Sequence, residues 1–575
     1  MERPDRLAIL IGGSAGQGMD SLTAVLEKHL QRIGYWTFTT RDYMSRVRGG
    51  HNFNQTLFGT SPLHSPSKGS DAVIALDAAT VELHLGDLAP DGLLLVDAAV
   101  ALPLSAAGDA RVHRLPLKET ATASGSPKTE GTVALGALLA SLGLPLEGLA
   151  PILAGHFPPE IAEKNVSALQ AGAALAPVHR DAPCCVDPKG RILVNGNEAV
   201  ALGALAAGCR FYSAYPMTPS TSIMNALAGW MDSGRILVEQ AEDEIAAINM
   251  AVGASYAGVR AMTGTSGGGF CLMVEALGLA GMLEVPLVVA DIQRPGPVTG
   301  FPTRTEQGDL RFVVSASHGE FPRLVVSLRS PADAFRQTVR AFDLADRFRI
   351  PVILLGDQFL ADTTVTVPPF DVDGIVVDRH FGTPDETGGF RTYALTEDGI
   401  SPRRVPGTPG VRVCVDSDEH DEYGRITESA EDRVAMTRKR MRKEEGLAAF
   451  LEEPEFLGDP DYDILLLCWG STREPVVDAL ARLARQKDAP RGPDAPAPRY
   501  AALAFGDVWP LPQKELLSRF AQAKSLVDVE QNATGQFAAL VRETTGLVCD
   551  RKLLKYDGRP LSGEWIAERL EGGDE

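Results

Sequence analysis

The chain has 575 residues and a formal net charge of −20 at pH 7. This length exceeds what one hydrophobic core sustains, so we expect about two to four domains. The acidic balance argues against a nucleic-acid or anionic-membrane partner, because either surface would repel the protein.

The seven cysteines are scattered through the chain without any C-x-x-C pair. That pattern lacks the usual spacings of structural-zinc and iron–sulfur sites, so we expect no metal site in this chain. A reducing, cytoplasmic setting fits best. No apolar run approaches the roughly 20 residues that a membrane helix needs, and the start MERPDRLAIL has no secretory apolar region. We therefore expect a soluble protein.

The first part of the chain predicts a doubly wound α/β domain. RLAILIGGSAGQGMDSLTAVLEKHL combines an apolar strand, a glycine-rich turn and a helix. AVIALD (72–77) and GLLLVD (92–97) are continuous apolar runs that end in aspartate, as buried parallel strands often do. The turn-rich segment HRDAPCCVDPKGRILVNG (179–196) predicts a linker that closes this domain near residue 180.

The rest of the chain predicts two more α/β domains separated by an irregular arm. Strands and helices alternate over 195–370, beginning with the helix GNEAVALGALAAGC. Over 371–455 loops rich in proline and glycine give way to DSDEHDEYGRITESAEDRVAMTRKRMRKEE, whose composition predicts a solvated helix face. From residue 461, DILLLCWGS, a helix over 473–486 and SLVDVEQNATGQFAALVRE predict a smaller α/β domain.

The first glycine-rich turn contains GSAGQG, with Gly13, Gly16 and Gly18. Backbone amides in such a turn can hold a phosphate at a helix N-terminus. The spacing is not G-x-G-x-x-G, and neither a P-loop lysine nor the acid of a nucleotide site follows. A simple tight turn therefore explains the glycines equally well.

A second polar segment, SRVRGGHNFNQ (45–55), combines Arg46 and Arg48 with the turn Gly49-Gly50. These residues suit an anionic ligand or a subunit contact. A solvated basic loop is the alternative. Clustered arginines in so acidic a protein mildly favour a functional role over that alternative.

The stretch AYPMTPSTSI (214–223) predicts a turn that starts a helix. Thr218 would be the N-cap and Pro219 the first helical residue. A capping threonine accepts a hydrogen bond through its oxygen, so the hydroxyl proton of Thr218 stays free to donate to a ligand.

Four acids cluster at the start of the small-residue helix in VEQAEDEIAAINMAVGASYAG (238–258). Acids there complement the helix dipole, so most need no function. Glu244 differs because apolar residues follow it at i+4, i+7 and i+8, which places it beside the buried stripe. A carboxyl held toward a core is a candidate acid or base. Periodicity alone does not separate Glu244 securely from Glu242.

Two further motifs lie where predicted strands end. TGTSGGGF (263–270) joins a strand to a helix through glycines, which permit close approach of a ligand or simply close packing. ADIQRPGPVTGFPTRTEQGDL (290–310) leaves a buried strand through Arg294. The carboxyl end of a parallel strand is where doubly wound folds bind ligands, and a guanidinium suits a carboxylate.

Taken together, these motifs resemble the alpha subunit of the 2-oxoacid:ferredoxin oxidoreductases. Eight motifs occur in family order over nearly the whole chain: GGSAGQG, SRVRGG, AYPMTPS, VEQAEDEIAAINMAVGASYAG, TGTSGGGF, DIQRPGPVTGFPT, DEHDEYGRITES and VEQNATGQ. They are most similar to the 2-oxoglutarate type with an N-terminally fused gamma domain. The resemblance implies oxidative decarboxylation of a 2-oxoacid with thiamine diphosphate. Electrons would pass through an iron–sulfur cluster to ferredoxin and the product would be an acyl-CoA, with reverse operation fixing CO₂.

The resemblance also implies a fold with four segments. We expect multi-domain α/β architecture with doubly wound, mostly parallel sheets. The segments would be a gamma-type domain over 1–185, a pyrimidine-binding-type thiamine diphosphate domain over 195–370, a linker with the charged arm (415–445) over 371–455, and a transketolase C-terminal-like domain over 456–575.

The resemblance assigns roles to individual residues. Thr218 would donate its proton to the 2-oxoacid, Arg294 would grip the C1 carboxylate, and Glu244 would hydrogen-bond the aminopyrimidine ring of thiamine. Other candidates are the substrate-binding residues Tyr215, Pro216, Thr303 and Arg304, the cofactor-binding residues Thr265, Ser266 and Gly267, and the coenzyme A or subunit contacts Arg46, Arg48, Gly49 and Gly50. Thr303 or Arg304 could meet the distal carboxylate of 2-oxoglutarate, and so could a partner subunit.

Parts of such an active site are missing from the sequence. We find no G-D-G motif followed by asparagine for Mg²⁺ and diphosphate, and no cysteine set for a cluster. The family places both in a beta subunit, so Mg²⁺ and a 4Fe–4S cluster are expected there, and the chain would be inactive alone. The resemblance implies an (αβ)₂ heterotetramer that reduces ferredoxin, with the arm and the last domain serving assembly.

Some departures and alternatives remain. Met217 replaces the usual isoleucine and SGGGF replaces SGPGF, which we interpret as packing variation. The core motifs are shared with pyruvate and branched-chain 2-oxoacid enzymes, so the substrate and the physiological direction stay open. Other hypotheses are a regulatory subunit that has lost its chemistry and a self-contained nucleotide-binding oxidoreductase that uses the first glycine turn.

Overall fold

The computed structural model describes residues 5–44, 50–178, 181–183, 190–382, 389–487 and 498–572. The chain forms two compact units. Unit 1 comprises Met1–Val194 and Thr363–Pro369, and unit 2 comprises Asn195–Asp362 and Phe370–Glu575.

The strands of the described residues are numbered in chain order. They are β1 (Arg6–Ser14), β2 (Trp36–Asp42), β3 (His51–Gly59), β4 (Ser70–Ala75), β5 (Leu88–Asp97), β6 (Val112–Leu115), β7 (Ile192–Val194), β8 (Phe211–Ala214), β9 (Leu237–Gln240), β10 (Ala261–Thr265), β11 (Leu287–Gln293), β12 (Leu324–Ser327), β13 (Pro351–Asp357), β14 (Thr364–Val367), β15 (Glu455–Gly458), β16 (Ile464–Trp469), β17 (Tyr500–Phe505), β18 (Asp507–Trp509), β19 (Ser525–Glu530) and β20 (Arg551–Leu554).

The helices are numbered in the same way. They are α1 (Met19–Arg32), α2 (Ala78–His84), α3 (Leu117–Ala123), α4 (Glu130–Ser141), α5 (Leu149–His156), α6 (Pro159–Ala173), α7 (Gly196–Ala206), α8 (Thr221–Ala228), α9 (Glu244–Tyr256), α10 (Gly267–Met282), α11 (Leu310–Val314), α12 (Pro331–Phe348), α13 (Gln358–Asp362), α14 (Ala430–Ala448), α15 (Arg473–Lys487), α16 (Lys514–Phe520), α17 (Gln536–Thr545) and α18 (Gly563–Gly572). None of these helices is both long enough and apolar enough to span a membrane, judged over the described residues.

Unit 1 is built on one sheet with the strand order β6-β5-β4-β1-β3-β2-β14-β7. The predicted apolar runs form β4 and β5, which pair in parallel, and β1 continues that parallel half. The other half is antiparallel, which the sequence did not predict. Part of the polar segment 45–55 belongs to this half, since β3 begins at His51.

Unit 2 contains two sheets, and the first has the order β18-β12-β13-β11-β10-β8-β9. Its strands run parallel except for β18. The central strands β11 and β13 are buried along their whole length, which explains their continuous apolar sequences. The sequence predicted that this domain extends to residue 370. In the structure, β14 (Thr364–Val367) instead belongs to the unit 1 sheet, where it pairs with β2 and β7.

The second sheet of unit 2 has the order β15-β17-β16-β19-β20, with only β15 antiparallel. The predicted strand DILLLCWGS forms β16, the predicted helix over 473–486 forms α15, and the last predicted strand and helix form β19 and α17. The predicted multi-domain α/β fold is therefore confirmed. The sheets of unit 2 are mostly parallel, as predicted, whereas only half of the unit 1 sheet is parallel.

The charged arm differs from the predicted solvated helix. On α14, Lys439 and Lys443 are each only 1% exposed. Both pair with buried Glu284, whose carboxylate oxygens lie 2.6 Å from Lys439 Nζ and 2.5 Å from Lys443 Nζ. The prediction was wrong for this face because buried charges are tolerated when an opposite charge and hydrogen bonds compensate them.

The charge cluster predicts a strong effect of Glu284→Gln on stability. Removing the carboxylate leaves two buried ammonium groups without their counter-charge, and we expect a loss of about 3–5 kcal/mol in the free energy of unfolding. The control is Glu445→Gln on the exposed face of α14, which should change it by less than about 0.5 kcal/mol. Denaturant unfolding measures both, and equal stabilities would contradict this account of the arm.

Candidate active site

Four elements of unit 2 bring the predicted site residues to one edge of its first sheet. The strands β8, β10 and β11 are parallel and adjacent, so their carboxyl ends lie side by side. The loop with Thr218 follows β8, the glycines follow β10, and Arg294 follows β11. Glu244 begins α9, the helix after β9. This is the edge at which doubly wound sheets bind ligands.

The loop after β8 is fastened by hydrogen bonds to neighbouring elements. Arg294 Nη1 donates to Thr218 O at 2.7 Å, and Asn197 Nδ2 donates to Pro219 O at 2.9 Å. In the part of the chain that the structure describes, the Thr218 hydroxyl has no hydrogen-bond partner. Its proton is therefore available to a ligand, as expected.

The predicted helix start at this loop was wrong. Thr218 is not the N-cap, because α8 begins at Thr221 and Ser220 precedes it without a capping side-chain bond. Ser220 Oγ instead donates to Met217 O at 2.8 Å. This bond holds residues 218–220 in a turn and delays the helix.

The structure separates Glu244 from its acidic neighbours. Glu244 is 5% exposed, whereas Glu242 is exposed and Asp243 serves as the N-cap that accepts from Ala246 N at 2.7 Å. Over the described ranges no protein donor reaches the Glu244 carboxylate. The carboxylate is thus held in place by packing while its oxygens remain free for a ligand.

The three glycines at the start of α10 differ in the space above them. A Cβ at Gly269 would lie 2.6 Å from Glu244 Oε1 and would also collide with Thr265 Oγ1. A Cβ at Gly268 would have its nearest neighbour, Met217 Cε, at an ordinary 3.6 Å. Gly269 is therefore required for the position of Glu244, while Gly268 has room for a side chain.

Thr265, Ser266 and Gly267 are all buried where β10 passes into α10. Thr265 Oγ1 lies 3.7 Å from Met217 Sδ, so the strand end contacts the loop after β8. Ser266 is the N-cap of α10 but makes no capping bond, and its buried Oγ has no partner among the described residues. Met217 thus packs against the residues proposed for the cofactor.

Arg294 is half-buried immediately after β11. Burial lowers the pKa of its guanidinium, and the nearby Asp309 partly offsets this effect. The group stays charged at neutral pH because its ordinary pKa lies above 12. One N–H donor serves Thr218 O, and the planar fork suits a carboxylate.

Sequence reasoning missed three acids near Arg294. Asp291 lies in β11 and is fully buried. Burial raises the pKa of Asp309 to about 6, and burial together with Asp309 raises the pKa of Glu306 to about 7. The available signal was an aspartate inside the largely apolar strand LVVADIQ.

The proline-containing loop after Arg294 extends toward the C-terminal part of unit 2. Val298 is 86% and Phe301 58% exposed. A Cβ at Gly558 would lie 3.1 Å from both Arg304 Cβ and Phe301 Cδ2, so Arg304 packs beside Gly558. Tyr215 and Pro216, which follow β8, are exposed and half-buried respectively. Thr303 is half-buried in the same loop.

The first glycine turn lies in unit 1. Gln17 closes it by accepting from Ser14 N at 2.6 Å and donating to Leu76 O at 3.1 Å. Gly16 and Gly18 have φ of +93° and +80° with open space above them. The tight turn therefore needs its glycines, and phosphate binding stays a prediction.

The polar segment after β2 is described only in part. Arg46, Arg48 and Gly49 lie outside the described residues. Gly50 has φ of +84°, and a Cβ there would lie 2.6 Å from Met44 Sδ. The contact proposed for these residues stays a prediction.

Two protein-family models match the chain, one in unit 1 and one largely in unit 2. The family model described as "Pyruvate ferredoxin/flavodoxin oxidoreductase" matches residues 8–175, and "Pyruvate flavodoxin/ferredoxin oxidoreductase, thiamine diP-bdg" matches residues 202–439. The 2-oxoacid:ferredoxin oxidoreductase 1, subunit alpha, of Aeropyrum pernix is 32% identical over 98% of this chain and 97% of its own. The 2-oxoglutarate oxidoreductase subunit KorA of Mycobacterium tuberculosis is 30% identical over 94% and 87%.

A solved structure agrees with these relatives. The 2-oxoglutarate:ferredoxin oxidoreductase from Magnetococcus marinus, with 2-oxoglutarate, coenzyme A and succinyl-CoA bound, has a TM-score of 0.90 and 30% identity over 99% of each chain.

These matches first define the class, an oxidoreductase with a thiamine-diphosphate-binding domain. The chain belongs to the 2-oxoacid:ferredoxin oxidoreductase alpha subunits, which confirms the family resemblance noted in the sequence. An alpha subunit implies a beta-type partner subunit. The roles of individual site residues stay predictions.

The glycines offer a matched pair of variants. Gly269→Ala should lower the free energy of unfolding by about 1–3 kcal/mol, because the new methyl group collides with Thr265 and displaces Glu244. Gly268→Ala adds the same methyl group where space exists, so the difference between the two isolates the collision. Chemical unfolding compares them, and a Gly269→Ala protein as stable as the Gly268→Ala protein would refute the proposed packing of Glu244.

Proposed function

We propose that this chain is the fused gamma–alpha subunit of a 2-oxoglutarate:ferredoxin oxidoreductase. The reaction converts 2-oxoglutarate and coenzyme A to succinyl-CoA and CO₂, and the electron pair released passes to ferredoxin. The observation that carries this proposal is the placement of Glu244, Thr218 and Arg294 at one edge of the first unit 2 sheet. The relatives named for 2-oxoglutarate support the choice of substrate.

The residues at this edge fit thiamine diphosphate. Glu244 is buried, aimed over Gly269 and without a protein donor among the described residues. It would hold a proton against a ring nitrogen of the aminopyrimidine. Thr265, Ser266 and Gly267 would line the same pocket, and the orphaned Ser266 Oγ provides a further polar atom. When bound, the cofactor supplies the carbon nucleophile and the electron sink that protein side chains lack.

Two residues would bind and orient the 2-oxoacid. The free donors of Arg294 would grip the C1 carboxylate, and the hydroxyl of Thr218 would donate to the ketone oxygen. The 2.7 Å bond from Arg294 to Thr218 O fixes the two groups relative to each other, so the substrate would be oriented before reaction. Tyr215 and Pro216 would border this position, while Thr303 and Arg304 are the candidates for the distal carboxylate.

Exposed apolar side chains support a partner on this face. Tyr215, Ile245, Leu272, Val298 and Phe301 are all large, at least 41% exposed, and carried by the site's own elements. Concentrations of exposed apolar surface mark interaction sites. We propose that a beta subunit carrying Mg²⁺ and a 4Fe–4S cluster covers them, that the complex is an (αβ)₂ heterotetramer, and that it reduces ferredoxin.

The candidates for the coenzyme A contact lie in unit 1. Unit 1 offers the amides of the turn at Gly16 and Gly18, which suit a phosphate group, and Arg46, Arg48, Gly49 and Gly50 are further candidates.

A cytoplasmic location is supported by free thiols in the described residues, at Cys209, Cys271, Cys414, Cys468 and Cys549.

The first experiment is an activity assay of the assembled enzyme. The chain is co-expressed with its beta-type subunit, purified anaerobically, and tested for viologen reduction with 2-oxoglutarate or pyruvate, with and without coenzyme A. Turnover with 2-oxoglutarate that needs both chains supports the proposal. A preference for pyruvate would move the substrate assignment, and no turnover despite bound thiamine diphosphate would favour a regulatory subunit.

Glu244→Gln tests the cofactor contact. The amide keeps the shape of the side chain but cannot share a proton with the aminopyrimidine, so kcat should fall by about 10²–10⁴. Glu242→Gln changes the exposed acid two residues earlier and should leave kcat unchanged. Viologen reduction at saturating thiamine diphosphate provides the measurement. Full turnover by the Glu244→Gln enzyme would rule out the assignment.

The variants Arg294→Met and Arg304→Met test which arginine binds which carboxylate of 2-oxoglutarate. Because every 2-oxoacid has a C1 carboxylate, Arg294→Met should lower kcat/KM for 2-oxoglutarate and pyruvate by a similar factor, on the order of 10². If Arg304 meets the distal carboxylate, Arg304→Met should lower kcat/KM only for 2-oxoglutarate. An Arg294→Met loss confined to 2-oxoglutarate would show that Arg294 binds the other end.

A further inference from the structure

Asp291 is a buried acid beside Arg294 that the proposed steps do not use. It lies in β11, is 0% exposed, and neither carboxyl oxygen has a hydrogen-bond partner within the described residues. An ionised carboxylate without donors is very costly in such a place. Burial and the neighbouring Asp309 accordingly raise the pKa of Asp291 well above its ordinary value. Asp291 therefore carries a proton at neutral pH.

Asp309 is held next to the same strand end by its main chain. Asp309 N donates to Gln293 Oε1 at 2.9 Å, and Gln293 Nε2 donates to Gly356 O at 2.9 Å. The carboxyl group fills the space above Gly267, where a Cβ would lie 2.6 Å from Asp309 Cγ. The carboxyl is thus fixed at the first residue of α10.

The charges around Asp309 are few. Arg294 and Glu306 face its carboxyl from the same loop, Asp291 from β11 and Cys271 from α10. Arg294 is the cation that lowers the pKa of Asp309, against the larger opposite effect of burial, and the result is about 6. Asp309 Oδ2 is buried and has no hydrogen-bond partner among the described residues, and with a pKa of about 6 the carboxyl is mostly ionised at pH 7 when no ligand is bound.

We propose that Asp309 takes up a proton when the 2-oxoacid binds, while Asp291 keeps its own proton throughout. This inference rests on the proposed role of Arg294 in holding the C1 carboxylate. An arriving carboxylate would engage the guanidinium and add a like charge beside Asp309, so the ionised form of Asp309 loses its compensation. A proton from solvent then goes to a carboxyl oxygen of Asp309, and no other bond changes.

The arrangement has a defined pH dependence. Ligand binding that takes up a proton weakens as pH rises above the pKa of the free group, here about 6, by up to about tenfold per pH unit for one full proton. KM for the 2-oxoacid should therefore rise between about pH 6 and pH 8, while kcat changes less. Glu306 faces the same carboxyl and has a pKa near 7, so it broadens this rise.

The test measures protons directly on the assembled enzyme. N-oxalylglycine, an unreactive analogue of 2-oxoglutarate, is titrated calorimetrically at pH 7 in buffers of different ionisation enthalpy, which gives the number of protons taken up. We expect uptake on the order of half a proton or more for the wild type. Asp309→Asn should abolish the uptake and flatten the pH dependence of KM. Asp291→Asn, which exchanges one neutral group for another, should retain both, as should the control Glu320→Gln on an exposed loop.

The outcomes separate this inference from the proposed function. Binding of N-oxalylglycine without proton uptake, or full uptake by Asp309→Asn, would overturn it and leave the proposed function intact. Loss of uptake in Asp291→Asn would overturn the assignment of the titrating group. If neither the analogue nor 2-oxoglutarate binds to the wild type, the proposed function itself fails. Infrared difference spectra of the wild type need no variant, and a new carboxylic-acid band on binding is expected, while its absence counts against the proposal.

Discussion

The hydrogen bond from Arg294 Nη1 to Thr218 O is the interaction on which the rest of the site depends. The sheet order places β10 between β11 and β8, so this bond passes over the carboxyl end of β10. The start of α10, with its glycines, lies beneath it. Parallel strands of fixed register can hold three different loops within reach of one ligand, and this bond keeps two of the loops together.

The burial of individual charged groups shapes this protein as much as its net charge does. A chain of net charge −20 still holds one guanidinium at the strand ends among Asp291, Glu306 and Asp309. In the arm, the same physics works with opposite signs, because one buried carboxylate of Glu284 holds two lysines. Hydrogen bonds to this carboxylate offset the cost of burying the lysines, and they fix a helix that is rich in charged residues.

The sequence was sufficient where local patterns decide the structure. Continuous apolar runs identified β4, β5, β11 and β16, and the position of Arg294 after a buried strand was correct for the same reason. It failed where side chains distant in the chain decide. The buried face of α14 depends on Glu284, which lies 155 residues from Lys439. Composition carries no signal for this contact.

The route of β14 constrains how this polypeptide could have been assembled in evolution. The strand is contributed by residues 364–367, yet it lies between β2 and β7 in the unit 1 sheet. A gene cut after residue 194 would encode a unit 1 whose β2 has an unpaired edge and whose β7 has no neighbour, and open strand edges invite aggregation. A separate gene for residues 1–194 would therefore have to supply another strand in place of β14.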